Sequence, residues 1–160
     1  MDRVNRILDN DIYKEHIRKI EELEIDRIYC HHDMTHFLDL ARIATILAFE
    51  ENLPIERDII YAAALLHDIG RDVQYLTGEE HELASYEIAP AILKSSGYTI
   101  KETELIVEAI RHHGNEEVMT RNDLTGIIYR ADKLSRKCFC CNAADSCHKR
   151  IDKRNYIIRY

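Results

Sequence analysis

Apolar residues recur along this chain at helical intervals, and at inward-facing places the stripes they draw are interrupted by histidine and aspartate. In THFLDLARIATIL, His36, Leu40, Ile43 and Leu47 stand at i, i+4, i+7 and i+11, which is one face of a helix. In GEEHELASYEIAPAIL, His81 shares a face with Ala84, Ser85, Ile88 and Ile92. In ETELIVEAIRHHG, Ile106, Ile110 and His113 repeat the series, and His112 falls one residue off it. In TGIIYRADKLSR, Ile128 and Asp132 are four residues apart, and the apolar run YAAALL ends in His67-Asp68. Burying one such group without a partner costs several kcal/mol. A single histidine in that position is ordinarily a core residue bonded to a carbonyl, and His67-Asp68 alone could be a helix end with Gly70 near its C-cap. The same violation in five segments is resolved most economically by convergence on a shared metal, whose charge offsets the buried carboxylates.

The periodicity predicts an all-α chain of about six main helices. Five glycines and two prolines are too few for a loop-rich fold, and no strand-like alternation recurs. Helices are expected over about 2–23, from a Thr35 cap to about 52, from near Pro54 through Leu66, over about 79–96, over 100–113 and over about 121–134. Pro90 should kink or split the fourth. The stretch RDVQYLTGEE after Gly70 reads as a polar loop. No repeat or linker is present, and 160 residues suit a single domain.

A net charge of −7 argues against a general nucleic-acid binder, which would show a basic field. It does not exclude a small phosphorylated substrate, because a local metal can overrule global charge. No apolar run approaches the roughly 20 residues of a membrane helix, and the polar start MDRVNRILDNDIYKEH does not resemble a signal peptide. The expected location is the cytoplasm, where five cysteines read as thiols or metal ligands.

Mixed imidazole and carboxylate ligation suits Fe, Mn, Co, Ni, Zn or Mg. Six candidate ligands allow a binuclear centre with Asp68 as the bridge. A mononuclear site of His36, His67, Asp68 and Asp132 is equally compatible, leaving His81 and His113 for a second ion or for substrate.

The order His36, His67-Asp68, Asp132 resembles the HD superfamily of metal-dependent phosphohydrolases, and His81 and His113 look like the extra histidines of its binuclear members. The words HFLDLARIA, LLHDIGR, HELAS, AIRHHG and YRADKLSR agree with it over about residues 30–136. The short layout looks closest to the symmetrical diadenosine tetraphosphate hydrolase branch. The resemblance implies an all-α bundle around the metal and hydrolysis of a phosphate ester or anhydride, commonly in a nucleotide. Two departures narrow it. HDIGRDVQY has Arg71 where alarmone hydrolases carry one of an acidic pair, and the GYP signature of signalling phosphodiesterases is missing.

In such a reaction Asp68 or Asp132 would take the proton of metal-activated water. Arg71, Lys133 and Arg136 are the candidate phosphate clamp. His32, one turn before His36, could reach the pocket mouth, whereas His16 and His31 read as surface. Two other readings compete: a diiron oxygenase on the same scaffold, and a non-catalytic nucleotide or metal sensor.

The second signal is RKCFCCNAADSCHKR, a cysteine-rich loop over 137–148 followed by a basic tail over 149–160. Cys138, Cys141 and Cys147 are spaced C-x2-C-x5-C. Buried or reactive thiols are the plain reading, and tetrahedral zinc is the functional one. An iron–sulfur cluster suits this spacing less. Cys140 adjoins Cys141 and is poorly placed for the same tetrahedron. His148 is a local fourth ligand, but Cys30 precedes His36 by six residues as Cys138 follows Asp132 by six. If His36 and Asp132 share an ion, Cys30 and the loop meet at one end of the bundle. A structural site of Cys30, Cys138, Cys141 and Cys147 is therefore expected.

Overall fold

The computed structural model describes residues 1–160 and contains helices and no strands. Eight α-helices follow in order: α1 (Asp2–Asp9), α2 (Asp11–Leu23), α3 (Met34–Glu50), α4 (Arg57–Leu66), α5 (Arg71–Thr77), α6 (His81–Ser96), α7 (Ile100–His112) and α8 (Leu124–Leu134). None is long and apolar enough to cross a membrane.

Helix α4 organises the rest. Ile59, Ile60 and the run Ala62 to Leu66 are all buried, so the helix is apolar nearly all round and must lie inside the bundle. Helices α1, α3, α6, α7 and α8 pack against it. Leu65 and Leu66 join Phe37, Leu40, Ile106, Ile110, Ile127 and Ile128 in one continuous core. Each fully buried side chain of this size contributes about 1.5–3 kcal/mol, which is what holds the polar insertions in place.

Two predicted features are replaced. The single helix over 2–23 is two helices, because Asn10 is extended and its Oδ1 accepts from the amides of Ile12 and Tyr13 at 2.9 and 3.1 Å, capping α2. The stretch after Gly70 is not a loop but α5, which ends at Gly78 in the left-handed conformation (φ 84°). Its Asp72 is buried and meets His16 Nδ1 at 2.9 Å, so His16 is a packing contact between α2 and α5 rather than a surface residue. The polar appearance of this segment came from groups that are paired across helices.

Smaller shifts have local causes. Asp33, not Thr35, caps α3, accepting from the His36 amide at 2.9 Å. Helix α8 starts at Leu124 because Asp123 caps it through the Gly126 amide at 3.0 Å. Helix α6 runs through Pro90 unbroken. The carbonyl that Pro90 deprives of a partner belongs to exposed Tyr86, where water can take the bond. Gly70 does not end a helix in the left-handed region; its φ is −88°. A Cβ there would lie 2.5 Å from the Ser85 nitrogen and 2.6 Å from Ala84 Cβ, so Gly70 is what lets the His67-Asp68 turn press against α6.

Candidate metal centre

The end of α4 delivers His67 and Asp68 to the middle of the bundle, 0% and 2% exposed. Around them stand His36 near the start of α3, His81 at the start of α6, His113 just beyond α7 and Asp132 near the end of α8. All six residues named from the sequence lie together. His113 is buried, whereas His112 is more than a third exposed beside Glu108.

The two oxygens of Asp68 face different histidines. Oδ2 lies 3.0 Å from His67 Nε2 and 3.9 Å from His36 Nε2. Oδ1 lies 3.2 Å from His81 Nε2 and 3.5 Å from His113 Nε2. The ligand atoms of His36, His67 and Asp68 fall within 4.8 Å of one another, and so do those of Asp68, His81 and His113. Asp132 Oδ1 joins the first group at 3.5 Å from His36 Nε2. Asp68 thus belongs to both groups.

The far side of each ring settles what the near side offers. His67 Nδ1 donates to the Ala64 carbonyl at 2.8 Å, and His113 Nδ1 donates to the Ile110 carbonyl at 2.7 Å. A carbonyl only accepts, so Nδ1 carries the proton and neutral Nε2 presents a bare lone pair. His36 Nδ1 is held by Ser135 Oγ at 3.2 Å, while His81 Nδ1 lies 2.9 Å from a Glu82 oxygen without hydrogen-bonding geometry. Nε2 of His36 and His67 stand 3.3 Å apart, and Nε2 of His81 and His113 stand 3.1 Å apart. Lone pairs facing each other and a carboxylate call for a shared cation, and the outer contacts fix the rings as supports of metal-bound histidines do.

Burial, reinforced by His67, pushes His36 down to about 4, leaving it neutral and able to ligate. Burial also lowers His113. Burial alone would raise Asp68, but Arg71 above all, with His67 and His32, holds it well below the usual carboxylate range. Asp132 is likewise lowered against burial, chiefly by Lys133. Both carboxylates therefore stay ionised as ligands. Asp68 in turn draws His67 upward against the effect of burial, so a proton is the cation's competitor there.

The cluster floors a cavity of about 580 Å³ bordered by Arg71, Lys133 and Arg136. Arg71 Nε donates to Asp68 Oδ1 at 2.8 Å. Lys133 Nζ donates to Asp132 and, at 3.2 Å, to the His113 carbonyl. Arg136 Nη2 lies 3.8 Å from Asp132.

The sequence left one arm of the site almost unseen. His32 is buried, with Nε2 3.7 Å from Asp68 Oδ2, while its Nδ1 meets Glu24. Glu24 also accepts from the His32 amide at 2.9 Å and from the Tyr75 hydroxyl at 2.5 Å. Those partners outweigh burial and bring Glu24 down to about 2. Spacing placed His32 near the mouth, but nothing in the polar stretch around Glu24 marks it as buried. Cys30, Cys138, Cys141 and Cys147 also line the cavity, yet no three of their sulfurs come within 4.8 Å of one another.

Comparison with known proteins agrees with this arrangement. An uncharacterized protein of Clostridium beijerinckii is 40% identical over 160 residues, 100% of both chains. Ribonuclease Y of Fervidobacterium nodosum is 30% identical over 148 residues, and the match spans 92% of this chain but 25% of that one. The crystal structure of a predicted HD superfamily hydrolase from an uncultured Thermotogales bacterium superposes with a TM-score of 0.57 at 31% identity, covering 76% of this chain and 66% of that chain. The HD domain profile matches residues 33–137, the stretch that carries all six clustered side chains, and the chain belongs to the HD domain family.

Proposed function

We propose that this chain is a metal-dependent phosphohydrolase that cleaves a phosphate ester or anhydride, in a nucleotide or dinucleoside polyphosphate. The observation that carries this reading is the convergence of five histidine Nε2 atoms on the two oxygens of one buried aspartate. The donor set fits divalent Fe, Mn, Co, Ni, Zn or Mg. Two ions are the natural count, because Asp68 belongs to two ligand groups, one with His36 and His67 and the other with His81 and His113. When bound, such ions lower the pKa of water and offset charge on a phosphoryl group.

The chain's own residues divide the remaining work. Asp68 is engaged on both oxygens and would be shared by the two ions. Asp132 has one histidine neighbour and two basic ones, which keep it ionised; it would complete the first ligand group and orient the attacking water. Arg71, Lys133 and Arg136 border the cavity and would hold the phosphate oxygens. Cleavage of an RNA phosphodiester is a second reading, favoured by the likeness to ribonuclease Y over this part of its length.

A phosphate-release screen over nucleotides, dinucleoside polyphosphates and short RNA, run with and without oxygen, tests the proposal. Turnover of a nucleotide by the wild-type protein, independent of oxygen and lost in His67→Ala, is expected. Oxygen-dependent turnover would favour the oxygenase. Binding of a nucleotide without turnover would favour the sensor, and cleavage of RNA alone would select the second reading.

A further inference from the structure

The chain has five cysteines, and all five border the same cavity as the histidine and aspartate cluster. Four come from the loop over 138–147, while Cys30 arrives from the segment just before α3. Cysteine is among the residues most often fully buried, yet none of these is. Their placement is therefore not a matter of core packing.

The segment that carries four of them has no core of its own. No residue after Ser135 is buried, and its only regular elements are three-residue 3-10 turns. Polar clasps hold it instead. Asn155 Nδ2 donates to the carbonyls of Lys133 and Leu134 at 2.7 and 3.0 Å, and Arg154 Nη2 donates to the Cys147 carbonyl at 2.6 Å. On the other side, Tyr29 donates to the Ser146 carbonyl at 3.0 Å and meets the His148 ring edge-on. Segments without apolar burial are ordinarily stapled by a disulfide or a metal.

Burial favours the thiol form of Cys30 in the metal-free chain, so a bound metal must displace its proton. Burial raises the Cys30 thiol, and its neighbours Cys138 and Cys141 add to the rise, while Lys149 and Arg136 pull it down. The first two are potential co-ligands, and the second two are cations that would offset the charge of a thiolate-rich site.

We propose that Cys30, Cys138, Cys141 and Cys147 bind one zinc ion as a four-thiolate structural site that ties the C-terminal segment to the chain just before α3, across the mouth of the cavity. Four sulfurs close the coordination shell and leave no open position for chemistry. Soft thiolates select zinc over the harder ions suited to the histidine and aspartate cluster. The sulfurs must draw inward to complete the tetrahedron, which a segment without a core permits. Binding of the ion and ordering of the loop would then be one event. Cys140 is the thiol left over.

Thiol titration of the native protein, with zinc bound and after stripping, tests this without any substitution. One reactive thiol with zinc and five without are expected; five reactive thiols in the zinc-loaded protein overturn the proposal. Cobalt in place of zinc gives a second reading, through sulfur-to-cobalt charge-transfer absorption. That band should be present in the wild type and in Cys140→Ser and absent from the Cys138→Ser, Cys141→Ser double variant. An unchanged band in the double variant overturns the assignment, and acid-labile sulfide in the purified protein in place of zinc overturns it in favour of an iron–sulfur cluster. None of these readouts uses hydrolysis, so failure here is distinguishable from failure of the proposed reaction.

Discussion

Two clusters of metal-ligand residue types share one cavity, and they are built in opposite ways. The histidines and aspartates come from the ends of five core helices, are mostly buried, and three of the histidines have their outer ring nitrogens tied to neighbouring carbonyl or hydroxyl groups. The cysteines sit half-buried or exposed on segments with no core, and no three of their sulfurs gather within 4.8 Å. In the first case packing brings the ligands together and an ion would complete the charge. In the second the ion itself would have to assemble the site. A core can hold ligands against their mutual repulsion, whereas a loop needs the metal to do so.

The contrast can be broken most sharply at His67. Its Ala variant should lose activity by about 10³-fold or more, the scale on which removal of one electrostatic stabiliser acts. It should still fold, as circular dichroism and thermal melting would show. Near-normal turnover by a folded His67→Ala protein would remove the cluster from the chemistry.

Arg71→Ala should cost stability, by about 3 kcal/mol in metal-free protein, because Asp68 loses its closest cationic partner in a buried setting. Manganese should restore much of it, since the ion offsets the same carboxylate. Equal losses in denaturant melts with and without manganese would show that Arg71 and the ion act on different groups.

Glu24 gives the acid dependence. Its ordinary value of 4.5 falls to about 2 in the folded chain, so its stabilising effect is complete above the ordinary value and disappears as pH drops through about 2. Over that window the wild-type protein should lose up to roughly 3 kcal/mol that Glu24→Gln does not lose. Parallel pH curves for the two would break the link between Glu24 and His32.

The smallest effect is expected at His112→Ala, within about 0.5 kcal/mol of wild type and with unchanged metal content, because the side chain is partly exposed beside Glu108. His113→Ala should instead lose metal affinity by at least about tenfold. Similar metal loss in both variants would undo the separation of the two neighbours.

Much of the bundle was visible in periodicity, because α3, α4, α7 and α8 bury continuous apolar faces and a misplaced His or Asp shows against them. The helix α5 escaped notice because its anchoring group is Asp72, whose burial depends on His16 far away in sequence. Glu24 was hidden for the same reason: its partners His32 and Tyr75 lie 8 and 51 residues away. A buried polar group looks like a surface group until its partner is known. The cysteine spacing, by contrast, was plain in the sequence, and the fold adds that Cys30 shares the same cavity wall.

The central claim, that one buried aspartate joins two histidine pairs into a divalent-metal centre, is tested most directly by manganese binding to metal-stripped protein, because manganese favours nitrogen and oxygen ligands over thiolates. The account predicts saturable binding of up to two ions per chain in the wild type and loss of both in Asp68→Ala. Equal binding by the two proteins, or none by the wild type, would contradict it.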